Sequence, residues 1–389
     1  MHRVYLDHNA TTPVHPAVLA VMLPFLGGEF GNPSSIHSFG QHARGAVERA
    51  REAVAALVGA RSSEIVFTSG GTESDNAAIF GIVENDRRAS RHIITTAFEH
   101  HAVLHACAAM ERRGVEVTYA PVSRDGVVDP EEIRRALRPE TILISVMHAN
   151  NELGTLQPIA EIARVAAEAG VPLHTDAVQS AGKVPIDVSH LGVDLLSLSG
   201  HKFGAPQGVG ALFIRKGRNI EPLLHGGGSE RGRRAGTENV AGIVGLGQAA
   251  EQVLAHMSES AARIAALRDR LEQCLLERVP QSRVNGDPAR RTPNTSNMMF
   301  PGVDSESLVI ALDLLGLACS AGAACSSGAV DASHVLRAIG LLSSEARASV
   351  RFSLGHTTTE RDIAQALELI PATVARQREL VASEVSIPR

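Results

Sequence analysis

Asp194-Leu-Leu-Ser-Leu-Ser-Gly-His-Lys-Phe-Gly-Ala-Pro-Gln-Gly208 runs an apolar strand, Asp194 to Leu198, into a turn of Ser199, Gly200, His201 and Gly204 that carries one lysine, Lys202. An amine at the end of an apolar strand is partly desolvated, which disfavours the ammonium and leaves a nucleophile for a carbonyl. Most lysines are solvated surface charges, so the reading rests on what accompanies this one.

Six more short apolar runs recur along the chain: Glu64–Thr68, His92–Thr96, Val115–Tyr119, Thr141–Met147, Val171–Thr175 and Gly210–Arg215. Between most of them lie helical patterns. Val47 to Gly59 repeats apolar residues at three- and four-residue spacing and stops at a glycine. In Asp129-Pro-Glu-Glu-Ile-Arg-Arg-Ala-Leu137, Asp129 caps, Pro130 takes the first helical position and Glu132 completes a capping box. Alternating strands and helices predict an α/β fold with a mostly parallel sheet covered on both faces. From Ala241 to Glu277 the pattern is helical and charged, a connector into a smaller α+β unit that continues to the C-terminus.

The chain has 389 residues, 44% hydrophobic and 20% charged, with a net charge of -5, which argues against nucleic acid or an anionic membrane as partner. No run approaches the roughly 20 apolar residues of a spanning helix, and the N-terminus has no apolar signal core. A cytoplasmic protein is expected. Cys107, Cys274, Cys319 and Cys325 are too scattered for a disulfide framework, which suits a reducing compartment.

Ser69-Gly-Gly-Thr72 follows a strand and opens a helix, Glu73 to Val83, so free N–H groups and the helix dipole favour a phosphate there. The motif is neither a Walker loop nor a dinucleotide fingerprint. Asp176 ends the strand Val171–Thr175 in apolar surroundings where a carboxylate needs a cationic partner, such as a protonated pyridine nitrogen; a helix cap is the plainer alternative. His100 ends Ile93-Ile-Thr-Thr-Ala-Phe-Glu-His and is suited to stack on a ring and move protons. His101 carries the same letter, and a metal pair is the other reading, although neighbours on one strand face opposite ways. Cys325 lies among small residues in Ala318-Cys-Ser-Ala-Gly-Ala-Ala-Cys-Ser-Ser-Gly328, a composition for a mobile loop able to carry a thiol; a buried role suits the other cysteines better. Arg351 offers a fork to a carboxylate, or an ordinary salt bridge.

Together these motifs resemble the cysteine desulfurases of the nitrogen-fixation and iron-sulfur-cluster type, in the class V group of fold-type-I pyridoxal phosphate enzymes. The resemblance runs end to end, through Tyr5-Leu-Asp-His-Asn-Ala-Thr-Thr-Pro13, Gly31-Asn-Pro-Ser-Ser35, Phe67-Thr-Ser-Gly-Gly-Thr-Glu-Ser-Asp-Asn76, Asp176-Ala-Val-Gln179, Ser199-Gly-His-Lys202, Gly226-Gly-Gly-Ser-Glu-Arg231 and Val350-Arg-Phe-Ser353. It implies a large domain, residues 15–258, with a seven-stranded sheet, and a small α+β domain, 1–14 with 259–389, holding the cysteine loop at about 318–330.

By the same resemblance Lys202 forms the Schiff base, His100 is the stacking acid/base and Asp176 the pyridinium partner. Asn151 and Gln179 lie near the phenolic oxygen, and Gly71, Thr72, Ser199 and His201 surround the phosphate. Thr237 reaches the phosphate of a neighbouring subunit, implying a homodimer. Arg351 with Asn32 holds the carboxylate of L-cysteine. The implied reaction gives L-alanine and a persulfide on Cys325, passed to an iron-sulfur scaffold or another sulfur acceptor. No resident metal is implied, although Cys325 can ligate a cluster iron transiently. The family loop often reads Ser-Gly-Ser-Ala-Cys where this chain has Ala-Gly-Ala-Ala-Cys325, preceded by an extra thiol at Cys319. Competing readings are another class V enzyme independent of Cys325, or a metal-binding or sulfur-carrier protein working without pyridoxal phosphate.

Overall fold

The structure, a computed structural model, describes residues 2–321 and 332–385. It begins with a short strand, β1 (Val4–Tyr5), followed by seven strands that build the main sheet: β2 (Ile65–Thr68), β3 (His92–Thr96), β4 (Glu116–Ala120), β5 (Thr141–Ser145), β6 (Leu173–Asp176), β7 (Leu195–Ser199) and β8 (Gly210–Ile214). These are the seven apolar runs of the sequence, shifted at their ends by a few residues. Their order is β2-β8-β7-β6-β5-β3-β4, parallel from β7 to β4, with β8 antiparallel to both β7 and β2. Two reversals restore direction, so β2 runs the same way as β7. The carboxyl ends of β2, β3, β5, β6 and β7 therefore share one edge, where ligands of open α/β sheets bind.

Most of these strands are buried on both faces, which is why they read as continuous apolar runs rather than alternating ones. One face is covered by helices Gly71–Asn85 and His101–Glu111, with Ile79, Val83, Val103 and Met110 in the contact. The other carries helix Ser38–Leu57 and the first turns of Val240–Arg278, packing Val47, Val54, Ile243 and Leu246. Helix Ser38–Leu57 starts nine residues before the predicted Val47, because His37 caps it through Gly40 N and its first turns are too polar and small to show periodicity. Helix Pro130–Ala136 has Asp129 as its cap, accepting from Glu131 N at 2.9 Å. The capping box does not form: the Glu132 carboxylate pairs with Arg135 on the exposed face instead.

Beyond the main sheet lie β9 (Arg283–Val284), β10 (Thr295–Met299), β11 (Leu317–Ala318) and β12 (Ser349–Ser353). The antiparallel sheet β12-β10-β9 and the parallel pair β1-β11 enclose a second core of Leu6, Leu271, Phe300, Phe352 and Ile363. The long helix Val240–Arg278 serves both cores, its first turns burying Leu246 and its later turns Leu267 and Leu275. β12 brings Arg351 toward the main sheet through the bridge between Asp7 and Ser353.

Candidate active site

At the shared carboxyl edge a cavity of about 330 Å³ is lined by Gly71 and Thr72 after β2, His100 after β3, Met147 and Asn151 after β5, Asp176, Val178 and Gln179 at the end of β6, and Ser199, His201 and Lys202 after β7. Arg351 of β12 and Asn9 with Ala10 of the N-terminal segment close it. Ten of the residues singled out from the sequence thus meet in one space although they come from five separate loops of the main sheet and from β12. Asn32 and Thr237 do not line it: both are exposed, and the Asn32 amide oxygen accepts from Ser34 N at 2.9 Å. Cys325 lies outside the described residues.

Lys202 donates to the backbone oxygens of Asn9 and Ala10, at 2.7 and 2.8 Å, so the amine is held at the cavity wall by acceptors from another part of the chain. Gly71 opens its helix against β6 so closely that a Cβ there would stand 2.5 Å from Val178 Cγ2. Only glycine lets the helix N-terminus and its donors come this near.

Asp176 is enclosed, one oxygen accepting from Val178 N at 2.8 Å. Burial pushes its carboxyl up to about 6, against the lowering effects of that bond and of Lys202. Behind it, burial raises the Asp75 carboxyl well above its usual range, with Asp176 adding to the effect, and burial lifts Glu99 to about 8. Of the three, Asp176 is the one that lines the cavity beside Lys202, and a buried carboxylate there is stabilised by a cationic partner.

His100 caps helix His101–Glu111, its Nδ1 accepting from Ala102 N at 3.1 Å, which fixes the ring and leaves Nε2 as the available nitrogen. Burial, then Lys202 and neighbouring imidazoles, hold it down at about 4, so the ring is neutral near pH 7. His100 and His101 take different surroundings. The pair sits at a helix start rather than on a strand, and His101 packs on His105 and His334, with ring centroids 4.9 and 4.5 Å away. No group of histidine, cysteine and acidic side chains suited to a metal ion occurs among the described residues.

His201 pairs through Nδ1 with Thr11 Oγ1 at 3.0 Å, and burial, then Lys202, lower it to about 4. Arg351 donates to Asp7 Oδ1 at 2.7 Å and to Asn151 O at 2.9 Å, while its Nε is buried without a partner. Asn151 Oδ1 is likewise buried and unpartnered. A buried donor and a buried acceptor left open on residues of one cavity are open to pairing by a ligand.

Sequence reasoning gave no role to Asn9 or Asp75, although both lie inside quoted motifs. The buried Asn9 amide bonds to Thr295 Oγ1 at 2.9 Å and Asn151 O at 3.1 Å, tying the N-terminal segment to both sheets.

Residues 4–366 match the aminotransferase class-V family. A cysteine desulfurase IscS of Methanosarcina thermophila is 51% identical over 377 residues, which cover 97% of this chain and 93% of the relative. Among solved structures, a NifS-like protein superposes with a TM-score of 0.91 at 38% identity, covering 96% of this chain and 100% of the other. SspA in complex with cysteine gives a TM-score of 0.81 at 39% identity over 90% and 98% of the two chains.

Proposed function

For a chain that belongs to the aminotransferase class-V family, and within it to the cysteine desulfurases, we propose that Lys202 is the catalytic amine and Cys325 the sulfur-receiving thiol in the conversion of L-cysteine to L-alanine. The observation that carries this is the single cavity joining an amine, a buried carboxylate in need of a cation, a fixed neutral imidazole and an arginine with a donor to spare.

The family depends on pyridoxal phosphate, and the cavity fits it. Lys202 would hold the aldehyde carbon covalently, and Asp176 would face the protonated ring nitrogen. The helix N-terminus at Gly71 and Thr72, with Ser199 and His201, would take the phosphate. Asn151 and Gln179 would meet the phenolic oxygen, and His100 would stack on the ring. When bound, the cofactor supplies an electron sink for the bond pair left when the substrate Cα loses its proton.

Arg351, whose Nε has no protein partner, binds the substrate carboxylate, and Asn32 is its partner in that role by the family resemblance. Once substrate occupies the site, Lys202 Nζ takes the Cα proton and returns it for release of product. His100 Nε2 exchanges protons with the substrate amine and thiol, which its neutral state permits. The Cys325 thiolate attacks the substrate sulfur as the Cβ–S bond breaks, the bond's electron pair stays on the substrate carbon and takes a proton, and alanine leaves while the sulfur remains on Cys325 as a persulfide. An acceptor protein, an iron-sulfur scaffold or another sulfur carrier, then removes the sulfur.

A homodimer is supported by the exposed apolar run Leu19, Leu23, Leu26, Phe30, Ile36 and Phe39, with Thr237 on a neighbouring exposed loop. No helix among the described residues is long and apolar enough to cross a membrane. Unpaired cysteines fit a reducing cytoplasm. The test is borohydride reduction of yellow protein followed by peptide mapping: the adduct is expected on Lys202, and an adduct elsewhere or none rejects the assignment.

A further inference from the structure

Lys183, in the turn after β6, does not line the cavity that Gln179 and Asp176 share, although Lys202 stands between that cavity and the one Lys183 borders. It borders a second space of about 330 Å³ behind that lysine, beside His8, Phe203, Met257 and Asn294. From there its Nζ reaches forward, donating to Gln179 Oε1 at 2.7 Å and to Asn9 Oδ1 at 2.8 Å. Gln179 Nε2 in turn donates to Asn9 O at 3.0 Å, the oxygen that also accepts from Lys202 at 2.7 Å. The Asn9 amide is fixed by further bonds, its oxygen accepting from Asn294 at 2.9 Å.

The two ends of a glutamine amide are alike in size, so neighbours decide which end points where. Lys183 Nζ sits between two amide oxygens and so donates to both, Asn9 O only accepts, and both demand the same orientation. One N–H of Gln179 is then used on Asn9 O, and the other remains for the cavity that the side chain lines. A Lys183 N–H donated to the amide oxygen also polarises the group and strengthens that remaining N–H as a donor.

We propose that Lys183 is a positioning residue for the reaction, acting through Gln179 to hold an N–H against the phenolic oxygen of the bound cofactor. This rests on Gln179 lying beside that oxygen, as in the proposed function. Burial, then the charges of Lys202 and Arg351, draw the Lys183 ammonium well below the usual lysine range, in keeping with a site crowded with cations. The charged and titratable groups facing Gln179 across the cavity are Lys202, Arg351, Asp176, Asp75, His100 and His201. Donation to the phenolic oxygen favours its anion and so eases loss of the proton from the neighbouring imine nitrogen.

The experiment follows the visible spectrum of the holoenzyme against pH in the wild type, Lys183→Met, Gln179→Ala and the double variant. Lys183→Met should move the midpoint of the colour change upward by roughly half a pH unit to one unit, and should move nothing further in the Gln179→Ala background. An unmoved midpoint in Lys183→Met, or the same displacement in both backgrounds, overturns the proposal. Loss of cofactor uptake in Lys183→Met while Gln179→Ala still loads also overturns it, because the lysine would then be structural. Wild-type protein that takes up no pyridoxal phosphate would remove the underlying reading and this proposal with it.

Discussion

Arg51 donates to both carboxylate oxygens of Glu230, at 2.7 and 2.8 Å, with neither side chain more than 4% exposed. The same carboxylate accepts from Phe67 N at 3.0 Å, and the guanidinium lies 4.6 Å from the Phe67 ring centroid. Glu230 and Arg231 adopt left-handed backbone, φ 50° and 57°, a conformation that costs about 1 kcal/mol or more per non-glycine residue. The pair therefore clamps the loop that carries Thr237 onto β2, the strand feeding the Gly70-Gly71 turn.

Breaking one side of that clamp should be costly. Glu230→Ala leaves a buried guanidinium with only Ile65 O and the half-exposed Glu48 as partners and should lower stability by about 3 kcal/mol. Replacing both partners, Arg51→Met with Glu230→Leu, should cost clearly less. Urea unfolding of the three proteins decides it, and an unchanged midpoint in Glu230→Ala would show the loop is held by other contacts.

Two cysteines six positions apart should behave oppositely. Cys319 is 8% exposed in the small core, and burial, aided by Asp7, pushes its thiol up to about 12, so almost none is thiolate at neutral pH. Cys319→Ala should retain turnover and persulfide formation, whereas Cys325→Ala should stay yellow and bind cysteine yet form no persulfide. Mass mapping of the sulfur after a single turnover reads both, and sulfur recovered on Cys319 would reverse the assignment.

Arg351→Lys tests the carboxylate clamp. Lysine keeps the charge near Asp7 but loses the planar fork, and a charge-assisted pair of this kind is worth about 1.5–3 kcal/mol. KM for cysteine should rise roughly 10- to 100-fold with kcat changed much less. An unchanged KM would place substrate recognition elsewhere.

The main sheet was legible because its strands, buried on both faces, leave unbroken apolar runs, and the lysine turn was legible because Gly200 and Gly204 flank a reactive residue. What pattern alone missed were choices of partner, some across long separations and some within a single turn. The reversal of β8 follows from its pairing with β2, on the far side of β7 from β6, which local propensity does not encode. Glu132 leaves the predicted cap for Arg135, since an exposed carboxylate exchanges partners at little cost. Asn9 and Lys183 look like ordinary polar residues until folding brings them within hydrogen-bond reach of Gln179, 170 and 4 positions away.

Glu99 offers a pH test independent of turnover. Its Oε1 accepts from Thr96 Oγ1 at 2.6 Å and Met147 N at 3.0 Å, while Oε2 is buried without a partner. Burial holds the group protonated up to about 8, above its ordinary 4.5. Below pH 4.5 both folded and unfolded chains carry the proton, and its contribution to stability is complete. As pH rises toward 8 the unfolded chain ionises first, so that contribution is lost across this window and changes no further above it. Glu99→Gln keeps an acceptor for both donors and has nothing to titrate. Relative to the variant, the cofactor-free wild type should therefore lose about 1.4 kcal/mol per pH unit between roughly 5 and 8. Contributions from buried His8, His148 and His174, which burial lowers to between about 3 and 4, cancel in the difference. Unfolding curves at pH 5.5 and 8 suffice, and a constant gap between the two proteins would mean that Glu99 is already ionised in the fold.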